Sequence, residues 1–369
     1  MDDWGKRRDM VVHEADPYNA EPPPGALADR VLTDIDTFYS RNHGAVPRLD
    51  PTTWLLRVDG LVDRQLELSL ADLRNGFAER TVVATLQCAG NRRAGLLTVR
   101  DIPGEHPWGP GATSTAEWTG VTLADVLTAT GVSAEAQHVA FAAPDVSHDA
   151  EPPQAYGSSV EIEKAMSNEV LLAWQMNGDP LPAVHGAPVR VVVPGYIGAR
   201  SVKWVQRVTA QAEPSTNYFQ TTAYRLQPAD ADPHTAAPGA GFALGPAALN
   251  AAILHPDDGS VVATGPTQVS GYAFAGGGRG VARVDVSGDG GVTWAQADLE
   301  EQVSPWAWRQ WRRTIDLQPG RTEIVARAWD TAAALQPESP EHVWNPKGYV
   351  NNSWSRIRLT ATAAPGRQD

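Results

Sequence analysis

Prolines and glycines cut this sequence into short pieces. Its 369 residues include 33 glycines and 29 prolines, above the usual combined share of roughly 12% yet short of a disordered composition. What the interruptions leave are short β-rich runs, each stopped by a turn signal. Trp54–Val58 reads as a strand ending at the turn pair Asp59-Gly60, and Thr81–Gln87 as a strand that delivers Cys88 to its end. Val170–Met176 runs into Asn177-Gly178, the strongest short hairpin signal. Pro188–Pro194 is a buried strand bounded by prolines, followed by the turn Gly195–Gly198. Two short helices stand out: Leu68–Leu73 capped by Ser69, and Thr122–Leu127 capped by Thr122 and stopped by Gly131.

At about 150 residues per domain, the length predicts two or three domains. The composition shifts between Pro228 and Pro246, where Ala, Pro, Gly and Asp dominate, and the domain boundary is placed there. Before it, strands and short helices mix without regular βαβ alternation, which favours an α+β fold. After it come Val269–Ala275, Val281–Val286, Val292–Ala295, Gln310–Ile315, Glu323–Ala328 and Ser355–Leu359, with Ser287–Gly291 as a hairpin turn. Short strands at short intervals with almost no helical pattern read as a β-sandwich. Residues 1–37, polar and containing Pro22-Pro23-Pro24, read as a segment laid over the surface. No internal repeat is visible.

The formal net charge of −13 argues against general nucleic-acid binding, which needs a basic face, but leaves room for a locally basic site. Lys6-Arg7-Arg8 is followed by no apolar run, because Asp9, His13, Glu14 and Asp16 intervene. No stretch approaches a membrane span. The chain reads as cytoplasmic, or as the trimmed form of an exported protein. Its single cysteine, Cys88, excludes an intramolecular disulfide framework, a thiolate-rich zinc site and an iron–sulfur cluster.

Generic catalytic motifs are missing, and four polar segments set within or beside apolar runs carry the chemistry. In Leu86-Gln-Cys88-Ala-Gly-Asn-Arg92-Arg93, a lone cysteine reads either as a small buried hydrophobe or as a thiolate favoured by the two following arginines. Phe38-Tyr-Ser-Arg41-Asn42-His43 reads as a solvated loop or as a basic binding segment. Arg190 interrupts the β-branched run before Pro194, so it needs a partner: an isolated ion pair or a bound group. Gly195–Trp204, with Arg200 and Lys203, suits an anion cradle, the alternative being a solvated strand end.

Together these segments, with Asn177-Gly-Asp-Pro-Leu-Pro182, His185–Pro194 and Gly198-Ala-Arg-Ser-Val-Lys-Trp204, resemble the sulfite oxidase family of molybdenum enzymes. The resemblance runs in the family's order from Phe38 to Arg358 and includes Gly290-Gly-Val-Thr-Trp294, Trp306-Ala-Trp-Arg309 and Asn351-Asn-Ser-Trp354. It implies a molybdopterin-binding domain over 38–235, then an immunoglobulin-like dimerisation domain over 246–369, and hence a homodimer. Cys88 is the implied molybdenum ligand, beside the dithiolene of one pyranopterin. Tyr39, Ser40, Arg41, Asn42, His43, Asp145, His185, Arg190, Ser201, Val202 and Lys203 are the implied cofactor contacts. Arg41, Tyr156, Trp108 and Lys347 are the implied substrate pocket. The implied reaction is oxidation of sulfite to sulfate by oxo transfer, with electrons passed to an external acceptor: a cytochrome, another carrier or oxygen. The alternative is a reductase of the same fold acting on nitrate or an S- or N-oxide. Two departures bear on the substrate. Lys347 stands where sulfite oxidases carry arginine, and Ile102–Trp108 lacks the lysine that animal members carry there. Nitrate reductases of this fold usually place an uncharged residue at the position of Lys347, so the retained charge leans towards sulfite.

Overall fold

The computed structural model describes residues 4–232, 235, 237 and 239–363. Residues 1–3 of the expected surface segment, linker positions 233, 234, 236 and 238, and 364–369 of the expected C-terminal domain lie outside the described residues. The chain opens with a hairpin of β1 (Val11–Ala15) and β2 (Tyr18–Glu21). The expectation that residues 1–37 merely cover the surface needs correction. Tyr18 to Glu21 are buried, and Met10, Tyr18 and Ala20 share a cluster with Val184. Leu27 joins Leu254, Tyr272 and Trp308 of the C-terminal half. A few apolar side chains in a polar segment suffice to dock it, at roughly 25 cal/mol per Å² buried.

Next come β3 (Leu55–Gly60), β4 (Leu66–Ser69) and α1 (Leu70–Gly76). Ser69 caps α1 as expected: its hydroxyl accepts from Asp72 N, while the Asp72 carboxylate accepts from Ser69 N. β3 ends at Gly60 as expected, but Asp59-Gly60 is its last pair rather than a turn beyond it, because both residues still pair with Thr209 and Ala210. The chain continues through β5 (Glu79–Gln87), α2 (Arg93–Leu97), β6 (Thr113–Thr122) and α3 (Leu123–Thr130). Thr122 caps α3, and Gly131 ends it at φ 68°. Then follow β7 (His138–Ser147), β8 (Gln154–Glu161), α4 (Ile162–Ala165), β9 (Leu171–Met176), β10 (Asp179–Pro180), β11 (Arg190–Val192) and β12 (Arg207–Gln211). Asn177 and Gly178, at φ 54° and 83°, make the two-residue turn between β9 and β10. Two sheets result, one ordered β10-β9-β6-β5 with β11 also on β9, the other β4-β3-β12-β7-β8. Sheet outweighs helix more than an α+β reading suggests: among the described residues the longest α-helix, α3, has eight residues.

A short pair, β13 (Arg225–Leu226) and β14 (Phe242–Ala243), leads to the C-terminal strands. These are β15 (Asn250–His255), β16 (Val261–Ala263), β17 (Gly265–Phe274), β18 (Val281–Ser287), β19 (Ala295–Gln296), β20 (Asp298–Leu299), β21 (Arg309–Leu317), β22 (Gly320–Asp330) and β23 (Ser355–Thr362). They form sheets β15-β17-β21-β20 and β16-β23-β22-β18-β19, with Val269, Trp311, Ile324 and Leu359 in the core they share. Of the expected strand Val292–Ala295 only Ala295 is in a strand, as the first residue of β19. Asp289 accepts from the backbone N–H groups of Val292 and Thr293, so the turn runs on and Val292 stays exposed.

The halves meet on the turn after β5. Val350 N donates to Ala89 O at 2.7 Å, and Asn91 Nδ2 donates to the Tyr272 hydroxyl at 2.8 Å. Arg92 donates to the carbonyls of Ala251, Ser353 and Trp354 at 2.7–3.1 Å. Replacing it leaves buried carbonyls unpaired, each worth about 1–3 kcal/mol. Arg92→Met should therefore lower the denaturation midpoint by the equivalent of about 3 kcal/mol, as read by urea unfolding. A shift within error would show that the halves do not depend on this guanidinium.

Candidate active site

Buried strand β5 ends at Cys88, whose side chain lies where two hollows meet. The inner one is walled by Tyr39, Ser40, Arg41, Asn42, His43, Asp145, Tyr156, His185, Arg190, Ser201 and Lys203. Val202 alone of the expected cofactor contacts is elsewhere. Its side chain is buried in the main core, and its carbonyl accepts from Val191 N at 2.7 Å. The outer cleft brings Arg41, Cys88, Trp108 and Lys347 together with Arg93, Glu105, His106, Tyr224 and Tyr349.

The two arginines after Cys88 part company. Arg92 serves the C-terminal half, whereas Arg93 turns into the cleft, donating to the Lys347 and His106 carbonyls and pairing with Glu105 at 3.1 Å. Glycines make room for it: a Cβ on Gly90 would sit 2.6 Å from its guanidinium, and one on Gly348 would sit 2.6 Å from its Cγ. Burial holds the Cys88 thiol above its ordinary value, against the pull of Arg93 and Arg41. The expectation that both following arginines favour the thiolate therefore holds only for Arg93, with Arg41 taking the place of Arg92. Gly90 N donates to the sulfur at 3.4 Å.

The inner hollow concentrates positive charge. Arg190 is buried over the Trp118 ring and donates to the His185 and Ser201 carbonyls at 3.0 Å, with no carboxylate partner among the described residues. An isolated ion pair is thus not its explanation; burial lowers its pKa to about 10. Burial, with Arg190 nearby, also pushes Lys203 well below its ordinary value, although its ammonium donates to Asn42 Oδ1 and to the Arg41 and Val184 carbonyls. Asp145, one oxygen of which has no partner, is pushed up to about 7 by burial. Arg200 is not part of the cradle: it is buried against Leu244 O, Ser158 and Gln220. Lys6, read in the sequence only as part of the basic triplet Lys6-Arg7-Arg8, belongs here. Its Nζ donates to Ile35 O and Phe38 O and lies 2.6 Å from His185 Nε2, which an ammonium obliges to accept.

The tyrosines sort differently from the resemblance. Tyr156 donates to Ala199 O at 2.7 Å, stacks on His43 and lines only the inner hollow. Tyr224 lines both hollows, and its hydroxyl lies 2.7 Å from His43 Nε2. Burial together with Arg41 and Lys203 holds His43 well below its ordinary pKa, hence neutral. Nothing in the short polar stretch around Tyr224 marks it, because its place depends on packing with Tyr349.

Comparison with known proteins identifies the family. The pattern described as "Oxidoreductase molybdopterin binding domain" matches residues 43–219, and "Mo-co oxidoreductase dimerisation domain" matches 245–362. The chain is 43% identical to sulfite oxidase of Gallus gallus over 94% of its own length and 77% of that protein. It is 37% identical to sulfite oxidase of Arabidopsis thaliana over 95% and 93%. The chain belongs to the sulfite oxidase family. The structure of the sulfane dehydrogenase SoxCD from Paracoccus pantotrophus is also similar, at 26% identity with a TM-score of 0.79, covering 96% of this chain and 89% of that one.

A molybdopterin cofactor fits the residues present. Three cations of the inner lining, Arg41, Arg190 and Lys203, facing the single carboxyl of Asp145 suit a phosphate. Ser40 Oγ and Asp145 Oδ1 are buried in the inner hollow without partners, as a polar ligand would leave them.

Two outcomes follow. Cys88→Ser should abolish oxidase activity while leaving the circular dichroism spectrum unchanged; near-normal activity would remove Cys88 from the metal's ligands. Burial lowers the pKa of Lys6 from 10.5 to about 7. Between those values the unfolded chain binds the extra proton, so this lysine makes stability rise with pH from about 7 towards 10. Lys6→Met should flatten that part of the profile in denaturation measured across pH, and an unchanged slope would show that Lys6 is solvated and titrates as an ordinary lysine.

Proposed function

We propose that this enzyme oxidises sulfite to sulfate in the outer cleft, with Arg41, Lys347 and Tyr224 holding the anion next to Cys88. The observation that carries this reading is that Arg41, Tyr224 and the sole cysteine meet at the junction of the two hollows, with Lys347 lining the outer cleft beside them. In the overall reaction sulfite gains one oxygen, formally from water, and loses two electrons, while two protons are released. When bound, the molybdenum cofactor supplies the oxo transfer and accepts the electron pair. Cys88 would ligate the metal. Arg190, Ser201, Lys203, His185 and the Tyr39–His43 segment would hold the pterin and its phosphate.

The chain's own residues account for binding and orientation. One fixed cation about 4 Å from a unit anion gives roughly 4 kcal/mol of Coulomb attraction at an effective dielectric of 20, before desolvation reduces it. Arg41 offers a planar fork to two oxygens, whereas Lys347 offers a point charge. The Tyr224 hydroxyl can donate to the anion, with neutral His43 2.7 Å away to orient it. Trp108, fully buried at the cleft wall, limits access by water. The retained cation at position 347 favours this reading over a reductase. We further read residues 38–235 as the pterin-binding unit and the sandwich from 246 onward as an immunoglobulin-like dimerisation domain supporting a homodimer. Electrons leave to an external acceptor.

Molybdenum-loaded protein should turn over sulfite with ferricyanide. Turnover of nitrate but not sulfite would overturn the proposal. Tyr224→Phe should lower kcat at least tenfold, on the order expected for a lost hydrogen-bond donor to the reacting anion, while Tyr156→Phe should leave kcat within about twofold, since a hydroxyl removed outside the cleft is not part of that chemistry; the reverse pattern would restore Tyr156 to the pocket. Lys347→Arg should lower the KM for sulfite, and an unchanged or raised KM would place residue 347 away from the anion.

A further inference from the structure

The outer cleft, which must attract an anion, contains an anion of its own. Glu105 lies between two of the cations: Oε1 is 3.1 Å from Lys347 Nζ, and Oε2 is 3.1 Å from Arg93. Its side chain is only 17% exposed, and it shares the cleft with Arg41, Cys88, Trp108 and Tyr224. Glu14, Asp16, Asp145 and Asp149 also line the cleft, but among the described residues Glu105 alone pairs with both Lys347 and Arg93. Glu14 is paired with His106 at 3.0 Å, and Asp145 lies towards Lys203 of the inner hollow.

We propose that Glu105 is a specificity-determining residue that grades oxyanions by charge, weakening a doubly charged product more than a singly charged substrate. The proposal rests on the reading of this cleft as the sulfite site. Near neutral pH part of the sulfite pool is hydrogensulfite, with one negative charge, whereas sulfate carries two. Repulsion from a fixed carboxylate scales with the charge of the bound ion. The same carboxylate therefore costs sulfate about twice the free energy that it costs hydrogensulfite, which favours product release. Glu105 also pairs with Lys347 and with the buried Arg93 in the cleft, so Arg93 does not have to be buried unpaired before substrate arrives.

The test uses the molybdenum-loaded enzyme at mildly acid pH, where hydrogensulfite dominates. The KM for sulfite and the Ki for sulfate are measured in the parent and in Glu105→Gln, with sulfate affinity also read by calorimetry on the oxidised enzyme. Expected is a fall of about threefold in KM and about tenfold in Ki and Kd for sulfate, the square relation that a second charge imposes. Equal factors for both ions, or no change in the sulfate constants while Lys347→Met raises KM, would overturn the role of Glu105 and leave the site standing. If Glu105→Gln and Lys347→Met both leave KM unchanged, the cleft itself is not the anion site, and the proposal falls with it. Should Arg93 left unpaired unsettle the fold, Glu105→Asp keeps the charge but draws it back by one methylene. It should shift both constants in the same direction, sulfate more than sulfite, and a shift in the opposite sense would overturn the proposal.

Discussion

Arg92 and Arg93 leave the turn after β5 in opposite directions, and the active site depends on that divergence. Arg92 adopts a left-handed backbone conformation at φ 64° and binds carbonyls of the C-terminal half. Its neighbour is thereby aimed the other way, into the cleft, where Gly90 and Gly348 leave space for its guanidinium stem. The turn thus does two things: it joins the halves of the molecule and places a cation beside the only cysteine. Since the carbonyls that hold Arg92 come from the C-terminal strands and the Asn351–Trp354 segment, the geometry at Cys88 is coupled to how that half docks.

A second constraint is the cost of buried positive charge. Arg190, Lys203 and Arg41 crowd a hollow whose one nearby carboxyl, Asp145, is itself pushed towards its neutral form. Backbone carbonyls and aromatic faces relieve part of that cost. The remainder is what an anionic cofactor would offset. In the outer cleft the balance is struck differently, with Glu105 standing in for an absent anion. Inner and outer hollows therefore differ in electrostatic design: one is left positive for a resident group, the other is neutralised for an exchanging one.

Local signals were reliable where the physics was local. Ser69 and Thr122 cap their helices, Gly131 stops the second, and Asn177-Gly178 turns its hairpin, because each depends on a few adjacent torsions and hydrogen bonds. Expectations failed where a distant partner intervened. Asp59-Gly60 remains in β3 because β12 pairs with it. Val292 is kept out of a strand by the reach of Asp289. The first 37 residues, polar by composition, are docked by a handful of apolar side chains whose partners lie as far away as Trp308.

The motif residues around Cys88, with their cations and their order along the chain, determined which chemistry this protein can host, because residue type sets charge, ligand softness and hydrogen-bonding capacity. The tertiary structure decided which of those residues meet. It moved Arg92, Arg200 and Val202 out of the site, brought Lys6 onto His185, put Tyr224 at the junction in place of Tyr156, and set Glu105 against Lys347. Side-chain direction and long-range contact follow from packing over the whole chain, and residue type in one segment cannot specify them.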